Sequence, residues 1–167
     1  MTHNFEIRAE TAADKAAILA LHEEAFGPGR FSRTAYRIRE QATTAKQIAL
    51  TAWYDDRLVG AIQLTAIRIG GKSRAMLLGP LAIAPAFKNM GCGLKLMKEG
   101  LEQAKADGFA LVILVGDLPY YQRIGFGRVP PGQIMLPGPA DPARLLAVAL
   151  KEGALEMYSG LVTADNG

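Results

Sequence analysis

Between Ile48 and Val115 the chain changes its apolar period twice, and this constrains its fold more than any other feature. Three extended segments come first: Ile48–Tyr54, Leu58–Ile69 and Arg74–Ala84. A tight Asp55-Asp56-Arg57 turn and a Gly70-Gly71 turn join them. Residues of these types supply the backbone reversals that hairpins need, so the three segments are predicted to form an antiparallel meander. From Gly91 to Asp107 the spacing becomes helical, with Leu94, Met97, Leu101 and Ala104 on one face. On the other face Lys95–Glu99 and Lys98–Glu102 set opposite charges one helical turn apart. Gly108 is a natural stop for this helix. Phe109–Val115 is then apolar without interruption, as expected of a strand buried on both sides.

The flanking segments extend the pattern. Phe5–Arg8 reads as a short strand. Thr11 with Asp14 forms a capping box ahead of a helix striped by Ile18, Leu21 and Ala25 and ended by Gly27-Pro28. Ser32 is placed to cap a second helix reaching about Gln41. Beyond Val115, Gly116-Asp117 opens a short helix, Leu118–Ile124, closed by Gly125. A Pro/Gly-rich stretch follows (Pro130-Pro131-Gly132, Pro137-Gly138-Pro139), then a strand within Arg144–Leu150. The expected architecture is α/β: one three-layer domain spanning residues 1–167, with a mixed, mostly antiparallel sheet flanked by helices.

A chain of 167 residues can bury roughly 70% of its unfolded surface and needs no staple. With 50% hydrophobic and 21% charged residues it is not a disordered chain. No apolar run reaches the ~18–20 residues of a membrane span, so no membrane partner is expected. Met1–Glu6 has neither the basic nor the apolar region of a secretion signal. The one cysteine, Cys92, excludes an intramolecular disulfide and fits a reducing, cytoplasmic location. Acids interleave with bases throughout a chain of net charge +3, so nucleic acid is not an expected partner. Two histidines and one cysteine argue against structural zinc, and no metal is expected.

The loop Pro85–Met90 and the helix start Gly91-Cys92-Gly93 carry the strongest functional signal. The first N–H groups of a helix have no internal partners, and the helix dipole adds positive charge there. Glycines at 91 and 93 leave room for phosphate oxygens to approach the backbone, and Lys88 adds a mobile cation. By itself this pair is also compatible with a plain strand-to-helix turn. No Walker sequence occurs, and the Rossmann pattern fails where its last glycine would be Leu96.

Lys88-Asn89-Met90-Gly91-Cys92-Gly93-Leu94 resembles the acetyl-CoA loop Q/R-x-x-G-x-G/A of the GNAT superfamily of N-acetyltransferases, with lysine in place of Gln or Arg. Upstream, Leu78–Pro85 is similar to the strand that carries pantetheine in that family. Downstream, Tyr120-Tyr121-Gln122-Arg123-Ile124-Gly125-Phe126 resembles its Y-x-x-x-G-F signature. The spellings L-G-P-L-A and G-D-x-x-Y-Y-x-R-x-G-F are similar to the YhbS-like branch.

The resemblance implies an acetyl-CoA-dependent N-acetyltransferase in which an acceptor amine attacks directly in a ternary complex. Main-chain groups of Leu81 and Ile83 would bind pantetheine as an added strand. Lys88 and the amides of Asn89, Met90, Gly91, Cys92, Gly93 and Leu94 would hold the pyrophosphate, with Arg123 nearby. Tyr121 would protonate the leaving thiolate; the plain alternative is a core side chain, to which Tyr120 has the better claim because adjacent helix positions face different ways. No carboxylate occurs in Arg74–Ala84, which departs from the family's frequent glutamate base. His22, Glu23 and Glu24 are candidates near the acceptor by position, against a solvated-face reading for the glutamates. Asp117 would orient the amine or cap the short helix. Arg30, Arg33 and Arg37 share a face that lines the family's acceptor region, or are an exposed basic face. The expected partners are acetyl-CoA and a small-molecule or peptide amine, with homodimerisation open. A non-catalytic acyl-CoA-binding module is the alternative, and a nucleotide-binding domain a third. For Cys92, two readings stand: a thiolate favoured by the helix start and Lys88, or a buried, inert thiol.

Overall fold

The computed structural model describes residues 4–27, 34–138 and 140–167, with the main chain alone at 34–36. In chain order the elements are β1 (Glu6–Ala9), α1 (Lys15–Phe26), α2 (Thr34–Gln41), β2 (Gln47–Tyr54), β3 (Arg57–Ile69) and β4 (Lys72–Ile83), then α3 (Cys92–Ala106) and β5 (Leu111–Val115). A short α4 (Leu118–Tyr121) follows, then β6 (Gly127–Arg128), β7 (Ile134–Met135), β8 (Leu145–Ala149) and β9 (Gly160–Ala164). The strands lie in the order β1-β2-β3-β4-β5-β8-β6, with β9 paired to both β3 and β7. Pairing is antiparallel except for β4 with β5 and β7 with β9.

The meander forms as its turns require. Asp55 and Asp56 take φ of 46° and 65°, Gly70 and Gly71 of 58° and 82°. Two successive positive φ values match the twist of the strands they join. The Thr11 capping box is present, the Thr11 N–H donating to the Asp14 carboxylate at 2.9 Å, and Gly27 at φ 68° ends α1. Ser32 lies outside the described residues.

Helix α3 covers one face of the sheet; α1 and α2 cover the other. Leu64 of β3 packs so closely under α3 that a Cβ on Gly100 would meet its Cδ1 at 3.0 Å, whereas neighbouring Gln63 faces the cavity beneath α1. The run predicted for β5 divides the same way. Val112 and Leu114 join the core under α3, Leu111 and Ile113 the core that includes Ile38 of α2. The buried stripe of α3 is Leu96, Met97, Gly100, Leu101 and Ala104. Each large side chain buried there stabilises the fold by about 1.5–3 kcal/mol. Leu94 does not reach full burial, but it packs against the same core as the face read from the sequence requires. Nor do the expected charge pairs on α3 form as read: Lys95 donates to the Phe5 carbonyl and Glu99 accepts from Gln103.

Three short strands, β6, β7 and β9, were not expected from the sequence. β9 pairs Ile67–Ile69 of β3 through Val162–Ala164, on the stretch that lies beyond the start of β2. Its alternation is weak because only Val162 is fully buried.

Candidate active site

Two irregularities on β4 open the sheet. Ile62 pairs with Leu81 and Leu64 with Leu78, so Gly79 and Pro80 form a bulge opposite Gln63, with a cis peptide between them. Pairing with β5 covers only Ala75–Leu77. From Leu78 onward β4 keeps β3 on one edge and no strand on the other among the described residues. The register says which groups point there. Ala84 N–H donates to Val59 O at 2.8 Å. Bonding to β3 therefore falls on residues 82 and 84, and the main-chain N–H and C=O of Leu81 and Ile83 face the open edge.

The loop beyond β4 supplies the opposite pole. A turn at Pro85–Phe87 leads to Asn89 and Gly91, which take positive φ of 63° and 87°. Such left-handed steps reverse the chain and gather N–H groups into an anion-binding concavity. Among the described residues, no carbonyl or side chain accepts from the amides of Asn89 to Leu94. Fifteen helical residues of α3 follow, adding their dipole to these open donors.

The two features meet in a cleft of about 350 Å³. Side chains of Leu81, Ile83, Lys88, Leu94 and Arg123 line it, together with both tyrosines of α4. Phe26 at the end of α1 and Phe87 in the preceding turn complete the wall. Neither was singled out from the sequence; Phe26, set directly before the helix-stopping Gly27, was the available signal. Met90 does not line the cleft and is 37% exposed, so only its amide is placed to serve there.

The two glycines have different causes. Gly91 needs its left-handed φ, and a Cβ there would meet nothing within 4 Å. A Cβ on Gly93 would overlap the Tyr120 hydroxyl oxygen. The room expected at Gly93 for a phosphate is thus occupied by Tyr120. Tyr120 packs against the core, as does Tyr121, and its hydroxyl lies in the cleft against the first turn of α3. Burial raises its phenol pKa, opposed by the Arg123 guanidinium. Tyr121 stands edge-on to Tyr120, ring centroids 4.9 Å apart, and to Phe126 at 6.0 Å. Its ring lies over Gly116, where a Cβ would overlap it.

Cys92 is 1% exposed, and its Sγ lies 3.0 Å from where a Gly60 Cβ would stand. Burial pushes the thiol up to about 11, with Lys95 rather than Lys88 as the opposing cation. Desolvation outweighs the helix start, and the reactive-thiolate reading is overturned. The acceptor candidates are dispersed. Glu23 and Glu24 are exposed and off the cleft. Asp117 is exposed and pairs with Arg144 at 3.5 Å. It caps α4 through its carbonyl, not its side chain. Arg37 lies against Gly138, and Arg30 and Arg33 lie outside the described residues. Among the described residues no carboxylate lines the cleft, no three potential ligands gather to hold a metal ion, and no helix is long and apolar enough to cross a membrane.

A splayed parallel strand pair beside an open, amide-rich helix start is the frame of a CoA-dependent acyltransferase. The acetyltransferase (GNAT) domain family matches residues 6–129, and the chain belongs to that family. It is 28% identical to the uncharacterized N-acetyltransferase YjhQ of Escherichia coli (strain K12) over 74% of this chain and 70% of that one. To the E. coli K12 N-acetyltransferase YhbS it is 25% identical over 93% of each. The crystal structure of E. coli YhbS in complex with CoA superposes with a TM-score of 0.83 at 24% identity, over 99% of this chain and 92% of that one. A GNAT family acetyltransferase from Brucella melitensis, in complex with acetyl-CoA, is 32% identical with a TM-score of 0.64, over 87% of this chain and 96% of that one. Membership in this family sets aside the nucleotide-binding reading.

Proposed function

We propose that this protein transfers the acetyl group of acetyl-CoA to an amine, both bound at once. The observation that carries the proposal is the meeting, in one cleft, of the amides of Asn89–Leu94, unengaged among the described residues, with the open main-chain edge of Leu81 and Ile83. A diphosphate and an amide-bearing arm are the groups such surfaces complement. Lys88 and Arg123 add charge for the phosphates. YhbS and the Brucella protein, crystallised with CoA and acetyl-CoA, support the reading.

The chemistry needs a proton donor and a proton acceptor. Tyr121 is assigned as the donor to the departing thiolate. A phenol's pKa near 10 lies close to a thiol's, so the transfer is nearly balanced. The acceptor amine must lose a proton. For a lysine-type amine this costs about 4–5 kcal/mol at neutral pH. With no carboxylate on the described cleft wall, that proton passes to water or to a group outside the wall.

The test is release of free CoA thiol from acetyl-CoA across a panel of amino acids, polyamines, aminoglycosides and peptide N-termini. Release that depends on one amine and on Tyr121 supports transfer. Tight acetyl-CoA binding with no release for any amine would instead identify a binding module, the reading that the missing carboxylate favours.

A further inference from the structure

On the face opposite α3, the described residues of α1, α2, β2 and β3, with Glu10 to Ala12 just after β1, line a second cavity, of about 640 Å³. A sheet face covered by helices is ordinarily apolar. This one carries Thr51, Gln63 and Thr65, 0%, 8% and 1% exposed. Register sets them side by side, since Gln47 pairs with Thr65, Ala49 with Gln63 and Thr51 with Ala61. Thr51 is satisfied, donating to Arg8 O and accepting from Trp53. The side-chain amide of Gln63, which lines the cavity, has no hydrogen-bond partner among the described residues. Nor has the Thr65 hydroxyl. Buried polar groups are nearly always paired, and Gln63, 8% exposed, has an amide that no described residue pairs and that is open to a ligand from the cavity.

Charges of both signs line the same cavity. Glu10 lines the rim, its main chain anchored by an N–H donated to the carbonyl of Ala49, the cross-strand partner of Gln63. Glu40 of α2 adds a second carboxylate at the rim. Arg39 and Lys15 supply the cations, and the field of Arg39 opposes the upward shift that burial gives the Glu10 carboxyl. Ile18 and His22 close the floor on the α1 side. Cavities of ~300–1,000 Å³ with a few convergent polar groups are the usual size for small-molecule sites.

We propose that this cavity binds a small zwitterion of the amino-acid type, its carboxylate toward Arg39, its ammonium toward Glu10 and Glu40, and its polar atoms on the Gln63 amide. Two features join it to the cleft on the other face. Gln63 stands opposite the Gly79-Pro80 bulge where β4 leaves β5. The His22 ring stands tilted against Phe26, which lines the cleft, with centroids 5.8 Å apart. Binding of the zwitterion in this cavity does not rest on the acetyltransferase reading.

Isothermal titration of the full chain with the L-amino acids decides the matter. The best-binding amino acid is then compared with its decarboxylated amine and its deaminated acid. One amino acid should bind with submillimolar affinity, and each half-charged analogue at least tenfold more weakly. Gln63→Leu should weaken it tenfold or more while keeping or raising Tm, because an apolar side chain of similar size suits a site without partners. Glu10→Gln, a change at the rim, should weaken it about fivefold. Absence of amino-acid binding, equal binding of amine or acid, or unchanged affinity in Gln63→Leu overturns the proposal. Acetyl-CoA titrated into the same samples tests the other reading separately: loss of that binding alone sinks the acetyltransferase assignment and leaves this one standing.

Discussion

The Tyr120 hydroxyl stands where a side chain on Gly93 would begin, so α4 and the first turn of α3 are fitted to one another across the cleft. The next Tyr120 atom, Cζ, is 3.7 Å from that point, an ordinary contact distance. The conflict therefore belongs to one oxygen. Gly93→Ala should destabilise the protein by about 1–3 kcal/mol, the usual range for overpacking. In a Tyr120→Phe background the same change should cost nearly nothing, since alanine suits a helix better than glycine. Denaturant unfolding of the four proteins gives the coupling. Additive costs would show that Gly93 is glycine for another reason.

Acetyl-CoA should stabilise the fold, by about 2.7 kcal/mol at one hundred times its dissociation constant. Gly91 holds φ 87° at the head of α3. Gly91→Ala should cost about 1–2 kcal/mol in the free protein and reduce the ligand-induced rise in Tm, because the loop amides move. A full rise in the variant would locate the pyrophosphate away from this loop.

Tyr121→Phe keeps the ring against Phe126 and removes only the hydroxyl. Turnover should fall by a factor of about 10²–10⁴, the typical contribution of a positioned acid, with acetyl-CoA affinity nearly unchanged. Tyr120→Phe should act in the opposite sense, altering acetyl-CoA affinity more than kcat. Steady-state kinetics separate the two tyrosines, and an unchanged kcat in Tyr121→Phe removes it from the chemistry.

Cys92 should behave as a core residue. Alkylation near neutral pH should be slower than that of glutathione and indifferent to CoA; rapid labelling blocked by CoA would contradict its burial. The thiol pKa is raised from 9.0 in the reference state to about 11 in the fold. The unfolded chain thus ionises first, so its contribution to stability is intact below pH about 9 and is lost as pH rises toward 11. The loss amounts to about 2–3 kcal/mol. Cys92→Ala removes this dependence, so the stability gap between wild type and variant should narrow over that window.

Much of the fold was legible because its signals are local. The two hairpin turns, the capping box at Thr11, the stop at Gly27 and the apolar run of β5 each depend on residues close in the chain. The loop Lys88–Leu94 was legible for the same reason, since open amides at a helix start need no distant partner. β9 escaped because its place is set by how far β3 outruns β2, and its own sequence buries little.

The sequence by itself determined the three-strand meander, the helix and strand that follow it, and the amide-rich loop. Tertiary structure decided which way the side chains at that loop face. Cys92 sits at a helix start that favours an anion, yet contact with Gly60, remote in the chain, strips its water, and desolvation outweighs the dipole. Gly93 reads as space for a ligand until Tyr120 arrives from α4 to fill it. Gln63 looks like any polar residue in a strand, and only the covering of its face by α1 and α2 buries it, with no partner for its amide among the described residues. Periodicity is written over three or four neighbours, whereas burial and hydrogen-bond satisfaction depend on partners that the chain brings together from far apart.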